Sequence, residues 1–252
     1  MSALSVSYVI LFYAAIGILV VGLGSRILRY VKTPAPLKIP TMPAPVTKSG
    51  VVMRLGREVV FFESLFKSNK WTWIFGWLFH VSLLLAFFRH LRYVIGPDNI
   101  LGMLIGLEIV QSFGKYASYT MVIGLLGLLG RRLFVERVRY ISSPSDYLML
   151  LLLLSIAATG MLMTFVSHID IMQLRDFAVG LFILQPANVP DSPLILIHLA
   201  LVALLMIIFP VSKLLHAPGV FFSPTRNQVD NAREQRHIAD WAVPLDETRG
   251  NK

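Results

Sequence analysis

The sequence predicts an all-α membrane protein with five transmembrane helices, and three observations favour that fold class. Of the 252 residues, 56% are hydrophobic and only 15% carry a charge. The mean hydropathy of +0.68 is too high for a soluble domain of this length. The apolar residues also fall into separate runs, each long enough to cross a bilayer at about 20 residues.

Five such runs are present, and we expect each to form one transmembrane helix. The first run lacks the basic start of a signal peptide and an obvious cleavage site, so we expect it to be retained. Without an internal repeat, the simplest organisation is one membrane domain, residues 1–225, followed by a cytoplasmic tail, residues 226–252. The runs lie at about 4–28, 73–95, 113–134, 145–166 and 193–216.

The connection between the first two runs divides into two parts. The stretch "VKTPAPLKIPTMPAPVTKSG" is rich in proline and threonine, so we expect an extended, solvated chain without a core of its own. Residues 54–70 have helical periodicity and mixed charge, which is typical of a helix lying at the membrane surface.

The distribution of basic residues predicts the orientation of the chain. Nineteen of the 23 Lys and Arg residues lie in segments 26–70, 131–146 and 213–252, which alternate with segments that carry few. The positive-inside rule therefore places the N-terminus outside and the C-terminus in the cytoplasm. Because the net charge of +9 belongs to these loops, it indicates a lipid bilayer and no nucleic-acid partner.

The sequence contains no cysteine. This excludes Cys-ligated iron–sulfur clusters, disulfides and covalent C-x-x-C-H haem attachment within the chain. Any redox centre here must be held by other ligands or belong to a partner.

The second and fifth runs contain two histidines each. Helix two runs outward and helix five returns, so His80 and His216 lie toward the cytoplasm, and His90 and His198 toward the outside. His198 and His216 share one helix face, whereas His80 and His90 are about 80° out of phase. The axial spacings of about 15 Å and about 27 Å do not match on straight helices, but a bend or break at Pro210 would change the second.

Ligation of two haems explains these two histidine pairs best. Each histidine would give Nε2 to iron, and each haem would lie between helices two and five with apolar residues packing its faces. Two axial histidines leave no open coordination position, so such haems would only carry electrons, here across a layer about 30 Å thick.

Other interpretations remain open on the residues alone. The histidines could simply hydrogen-bond to neighbouring helices of a membrane anchor, or act as relays of a proton channel or transporter, although the runs lack the deep carboxylates of such relays. A zinc or di-iron site is disfavoured, because the pairs are too far apart to share an ion and no carboxylate lies beside them. His168 has no partner at its depth and His237 lies in a hydrophilic tail, so neither is a predicted ligand.

Three stretches within about residues 70–225 resemble the gamma, cytochrome b subunit of respiratory nitrate reductase. They are "NKWTWIFGWLFHVSLLLAFFRH", "RRLFVERVRYISSPSDYLMLLLLL" and "FPVSKLLHAPGVFFSP". The resemblance implies that His80 with His216, and His90 with His198, ligate one haem b near each membrane face. It also implies an electron-transfer subunit of a quinone-linked oxidoreductase complex in a bacterial or archaeal cytoplasmic (inner) membrane, with menaquinone or ubiquinone as exchangeable substrate.

The proline-rich loop, the interfacial stretch and the tail "NQVDNAREQRHIADWAVPLDE" are more similar to a related family, the DsrM subunit of the membrane complex of dissimilatory sulfur metabolism. That resemblance implies a cytoplasmic iron–sulfur partner of heterodisulfide-reductase type (DsrK-like). It further implies a periplasmic multihaem cytochrome c and other membrane and iron–sulfur subunits. A nitrate reductase gamma subunit remains the alternative.

Three basic residues are candidates for contacts with the cofactor or the substrate. The resemblance makes Lys115 the candidate for quinone binding beside the outward haem, although a lysine reaching for the membrane surface explains it equally well. Arg89 and Arg92 flank His90, and their guanidinium groups suit haem propionates, although ordinary interfacial anchoring is an equal alternative.

Overall fold

A computed structural model describes residues 1–33, 40–167, 169–231, 238 and 240–245. The regular structure of these residues is helical throughout and contains no β-strand, as the sequence predicts. Residues 34–39 of the proline-rich loop, together with His168 and His237, lie outside the described residues. The helices are α1 (Ala3–Lys32), α2 (Lys48–Phe61), α3 (Glu63–Ser68), α4 (Lys70–Leu91), α5 (Ile100–Gly106), α6 (Glu108–Phe134), α7 (Glu136–Ile141), α8 (Pro144–Phe165), α9 (Ile171–Phe182), α10 (Pro193–Ile208) and α11 (His216–Gly219), with short 3-10 turns at Phe209–Val211, Lys213–Leu215, Val220–Phe222 and Asp240–Ala242.

Four segments of the described chain are long and apolar enough to cross a membrane: Ala3–Lys32, Lys70–Leu91, Pro144–Phe165 and Pro193–Val211. They correspond to the predicted first, second, fourth and fifth spans. Helix α6 covers the predicted third span and is 27 residues long, but polar residues such as Lys115 lower the hydropathy of its first half. The count of five spans and their orientation therefore stay predictions.

Side-chain caps fix where two of these helices begin. The side-chain oxygen of Asn69 accepts a hydrogen bond from the Thr72 N–H at 2.8 Å, so α4 begins three residues before the predicted start at 73. At the start of α8 the Asp146 carboxylate accepts from the Ser143 N–H at 2.9 Å. Asp146 is buried and also lies 3.5 Å from Arg132, which ties the start of α8 to the end of α6.

The predicted fifth span, 193–216, is not one continuous helix. Helix α10 ends at Ile208, and the chain continues through 3-10 turns until α11 begins at His216. Pro210 causes this break, because proline has no N–H to donate and its ring clashes with the preceding turn. The straight-helix distance between His198 and His216 therefore does not apply.

Backbone contacts divide the chain into two compact units, residues 1–18 with 65–208 and residues 19–64 with 209–252. In the first unit α6 packs against both α4 and α8, and α8 packs against α10. Helices α4 and α10 are therefore linked mainly through the two helices between them.

Glycines bring α4 and α6 close together. A Cβ atom at Gly124 would lie 3.0 Å from both the Phe75 carbonyl oxygen and the Phe79 nitrogen, and one at Gly114 would lie 3.1 Å from the Leu85 carbonyl oxygen. Since backbone atoms of a helix cannot move aside cheaply, these positions need glycine. We call this contact the α4–α6 seam; it fixes the position of α4.

A second set of contacts in the first unit joins α1, α9 and α10. Phe12 packs edge-on against Phe177 with ring centres 6.0 Å apart, and Ala15 and Ala203 are fully buried. Helix α9 is a finding that the sequence analysis did not anticipate. It lies in the loop between the predicted fourth and fifth spans and begins at Ile171, directly after Asp170, whose carboxylate caps the first turn.

The second unit is built around α2 and the segment that follows α11. The Thr41 N–H donates to the Thr225 carbonyl at 2.8 Å, and the Arg226 guanidinium lies 2.5 Å from the Glu58 carboxylate. The predicted surface helix at 54–70 is observed as two helices, α2 and α3, which separate at Phe62 with a left-handed φ of 51°. The domain boundary at 225/226 stays a prediction, and the described part of the tail begins with these contacts.

Candidate functional site

Helices α4 and α10 bring His90 and His198 together in the first unit. Their imidazole rings are nearly parallel, with an interplanar angle of 14°, and the ring centres are 6.5 Å apart. Two metal–imidazole bonds of about 2.0–2.1 Å, plus the distance from each nitrogen to its ring centre, together span about 6 Å. The distance between the ring centres is therefore of the size that two imidazoles bound to one metal ion require.

Hydrogen bonds fix the tautomer of three of the four predicted ligands. A backbone carbonyl can only accept, so a ring nitrogen that contacts one must carry the proton. This places the imidazole lone pair on Nε2, as metal ligation requires. Nδ1 of His80, His90 and His216 donates to the carbonyl oxygens of Gly76 at 2.7 Å, Ala86 at 2.6 Å and Lys213 at 2.9 Å, respectively.

The fourth histidine, His198, has the same tautomer, which is fixed by a hydrogen bond to another helix. Its Nδ1 lies 2.8 Å from the Thr159 hydroxyl on α8. That hydroxyl directs its own proton to the carbonyl oxygens of Ser155 at 2.8 Å and Ile156 at 3.0 Å. Its oxygen is thus left to accept, so Nδ1 of His198 donates and the lone pair again lies on Nε2.

The two rings of this pair differ in their surroundings. His198 is only 8% exposed, and Gly160 lets the α8 backbone approach it, since a Cβ there would lie 3.4 Å from the His198 Cε1 atom. His90 is exposed and has Tyr93 edge-on beside it, with ring centres 5.7 Å apart. The His198 ring is thus held by packing, whereas the His90 ring is held mainly by its own helix.

His80 and His216 lie in different units, so the structure describes each one separately. His80 is half-buried on α4, two to three turns before His90, with the Phe79 ring edge-on at 4.9 Å. His216 is the first residue of α11. The pairing of His80 with His216 stays a prediction.

Arg89 and Arg92 converge on one residue that the sequence analysis missed, Gln111 at the start of α6. Arg89 donates to the Gln111 backbone carbonyl at 3.0 Å, and Arg92 donates to its side-chain carbonyl at 2.9 Å and to the Tyr93 hydroxyl at 3.2 Å. Among the residues that the structure describes, none accepts a hydrogen bond from the buried Nε of Arg92. A buried donor without an acceptor beside the predicted ligand His90 fits a carboxylate-bearing cofactor such as haem.

Lys115 lies on a different side of α6 from the α4–α6 seam. Its ammonium group is 5.5 Å from the centre of the Phe165 ring on α8 and 5.9 Å from that of Tyr116. The side chain is exposed. An exposed cation next to aromatic rings can donate hydrogen bonds to a ligand arriving from the bilayer. The quinone contact of Lys115 stays a prediction.

Sequence reasoning missed Thr159 and Gln111 for a physical reason. A threonine in an apolar run is often satisfied by its own helix backbone, and an interfacial glutamine is ordinary. Only the packing of α8 against α10, and of α6 against α4, shows which ligand or arginine these polar groups contact.

Comparison with known proteins identifies the family. Residues 60–231 match the profile of the nitrate reductase gamma subunit family. The chain is 33% identical to the Hdr-like menaquinol oxidoreductase cytochrome b-like subunit of Archaeoglobus fulgidus, over 94% of this chain and 84% of that protein. The corresponding subunit of Archaeoglobus profundus is 29% identical over 91% of this chain and 80% of that protein.

A shorter stretch of the chain is also similar to a subunit of a nitrate reductase. The nitrate reductase gamma chain of Bacillus subtilis is 35% identical over 36% of this chain and 43% of that protein. The profile match covers more than half of the chain, and the similarity to the first Archaeoglobus subunit covers most of it. The chain belongs to the nitrate reductase gamma subunit family.

Proposed function

We propose that this protein is the dihaem cytochrome b subunit of a membrane-bound menaquinol oxidoreductase. The observation that carries the proposal is the His90–His198 pair, two parallel imidazoles 6.5 Å apart on different helices. Both rings have their Nδ1 proton committed to an oxygen acceptor and the lone pair on Nε2. A bis-histidine haem needs this tautomer on each ligand.

The residues around the pair have separate roles in this proposal. His90 and His198 hold one haem b, and His80 and His216 hold a second. Each haem, when bound, supplies one-electron redox chemistry without an open coordination position. Arg92, with its buried Nε, and Arg89 hold the propionates.

The choice of menaquinol as substrate is supported by the similar proteins. Two of them are described as subunits of menaquinol oxidoreductases and share most of this chain's length, which favours menaquinone over ubiquinone. With the N-terminus outside and five spans, the His90–His198 haem lies toward the outer face. Lys115 then donates a hydrogen bond to a quinone oxygen near that face.

The electron partner in this proposal is a cytoplasmic iron–sulfur subunit of heterodisulfide-reductase type. The "Hdr-like" description of the two Archaeoglobus relatives supports this choice. The basic cytoplasmic segments of the chain offer a docking surface for such a partner. The resemblance of the loop and the tail to the DsrM subunit adds to this proposal a role in dissimilatory sulfur metabolism, with a periplasmic multihaem cytochrome c.

A role as nitrate reductase gamma subunit is the second candidate, favoured by the similarity to the Bacillus subtilis chain. It shares the haems and the quinone but requires a different cytoplasmic partner. Copurification from native membranes, followed by identification of the associated subunits, separates the two.

The test of the central proposal is the haem content of the purified chain. A pyridine haemochrome assay should give close to two noncovalent b-type haems per chain, and reduced-minus-oxidised spectra should show b-type bands. A haem content near zero would refute the cytochrome assignment and favour a channel or a plain anchor. Covalently attached c-type haem would refute it as well.

A further inference from the structure

The four histidines of the proposed haem sites differ in what accepts their Nδ1 proton. Three donate to a backbone carbonyl three or four residues earlier in the chain. The Nδ1 atom of His198 instead contacts a side chain on a different helix, the Thr159 hydroxyl of α8. This asymmetry lies within the His90–His198 pair itself.

The Thr159 hydroxyl is a well-defined acceptor. Its hydrogen bonds to the Ser155 and Ile156 carbonyls fix where its proton points, so its lone pairs face His198. The hydrogen bond to His198 joins α8 to α10 and fixes the rotation of the imidazole about its bond to Cβ. A Cβ atom at Gly160, the next residue, would lie 3.4 Å from Cε1 and 4.0 Å from Nδ1 of His198, so the α8 backbone passes close to the ring.

We propose that Thr159 is the positioning residue of the haem held by His90 and His198, and that it sets the reduction potential of that haem. The inference rests on the proposed function, because it requires a haem at this pair. A hydrogen bond from Nδ1 makes the imidazole a stronger electron donor, which stabilises ferric over ferrous iron. Thr159 therefore lowers the potential of this haem relative to one whose His198 has no acceptor.

The same contact orients the His198 plane. The rings of His90 and His198 are 14° from parallel, and the His198 ring is held by a hydrogen bond to a side chain on another helix. Removing the hydroxyl lets the His198 ring rotate away from that orientation. The spectroscopic signature of bis-histidine haem depends on this angle, so it reports the positioning role separately from the potential.

The test uses the full-length protein with its haems, purified in detergent, and compares three variants. Thr159→Val keeps the shape but removes the acceptor, and Thr159→Ser keeps the hydroxyl. Thr164→Val is the matched control on α8, because the Thr164 hydroxyl donates to the Gly160 carbonyl at 2.9 Å and, within the described part of the chain, contacts no histidine. Each variant is titrated potentiometrically, and the electron paramagnetic resonance spectrum of its ferric haems is recorded.

In Thr159→Val we expect the ferric form of one haem to lose about tenfold in relative stability, a rise of about 59 mV for a one-electron couple. Its resonance signal should shift, while the second haem is unchanged. Thr159→Ser and Thr164→Val should both match the wild type. If Thr159→Val retained the wild-type potential and signal, the nearby Ile156 carbonyl would suffice as acceptor, and the inference would be wrong.

The experiment distinguishes failure of this inference from failure of the proposed function. If the wild-type protein itself carries no b-type haem, the proposed function fails before any variant is measured. If the wild type carries two haems and Thr159→Val and Thr164→Val behave alike, only the role of Thr159 is overturned.

Discussion

Helix α4 meets α6 and α10 in opposite ways. Toward α6 the contact is backbone against backbone, with glycines where a Cβ would lie 3.0–3.1 Å from main-chain atoms. Toward α10 the approach is made by side chains, the parallel rings of His90 and His198. The comparison suggests a division of roles: the α4–α6 seam fixes the position of α4, and His90 on α4 then faces α10.

The largest effect is expected on haem content, when the histidines are replaced. His90→Ala and His198→Ala should each abolish the same haem and leave one haem per chain, because each change removes one of the two side chains proposed to bind its iron. His80→Ala and His216→Ala should abolish the other. Haemochrome quantification with difference spectra measures both.

The double variants sharpen that assignment. His90→Ala with His198→Ala should lose no more haem than either single change, since both ligands serve one iron. If His80→Ala and His198→Ala removed the same spectral component, the pairing by depth would be wrong.

A smaller effect is expected on stability, when a glycine of the α4–α6 seam is replaced. Gly124→Ala should destabilise the protein by about 1–3 kcal/mol, because its Cβ would press on the α4 backbone at the α4–α6 seam. Gly130→Ala is the control on the same helix, since the nearest atom to its Cβ is 3.9 Å away on the Phe134 ring. Thermal unfolding in detergent should show a lower Tm for the first variant alone. Equal melting temperatures would mean that α4 and α6 can separate without cost.

The smallest expected effect concerns the outer surface of α6. Lys115→Ala should slow the reduction of the haems by a menaquinol analogue severalfold, because one hydrogen-bond donor to the quinone is lost, while dithionite still reduces both haems. Lys70→Ala is the matched control, since the Lys70 ammonium also lies against an aromatic ring, 5.8 Å from the centre of Phe66. An unchanged rate with Lys115→Ala would remove Lys115 from the quinone site.

Much of the site could be predicted from the sequence, because its strongest signals are local. The apolar runs and the histidine positions identified the helices, and Asn69 and Ser143 are ordinary cap residues at the observed starts. The break of α10 was foreseeable from Pro210. Antiparallel direction, inferred from basic residues, was enough to suggest that His90 meets His198.

The remaining features depend on which helix faces which. The sequence gives no sign that Gly124 presses against Phe75 and Phe79, because glycines are frequent in membrane helices for several reasons. Thr159 looks like any threonine in an apolar run. Helix α9 was missed because its 12 residues include charged side chains inside a loop, and its burial against α1 and α10 outweighs that composition.

The packing order within the first unit has a consequence for how the protein is made. Helices α4, α6, α8 and α10 pack in the order in which a ribosome delivers them, so each can dock on its predecessor as soon as it enters the membrane. His198 and the histidines that follow it arrive last. We therefore expect cofactor capture to be a late step of biogenesis: a chain truncated before Pro193 should insert stably yet retain no haem, and haem bound by such a fragment would contradict this order.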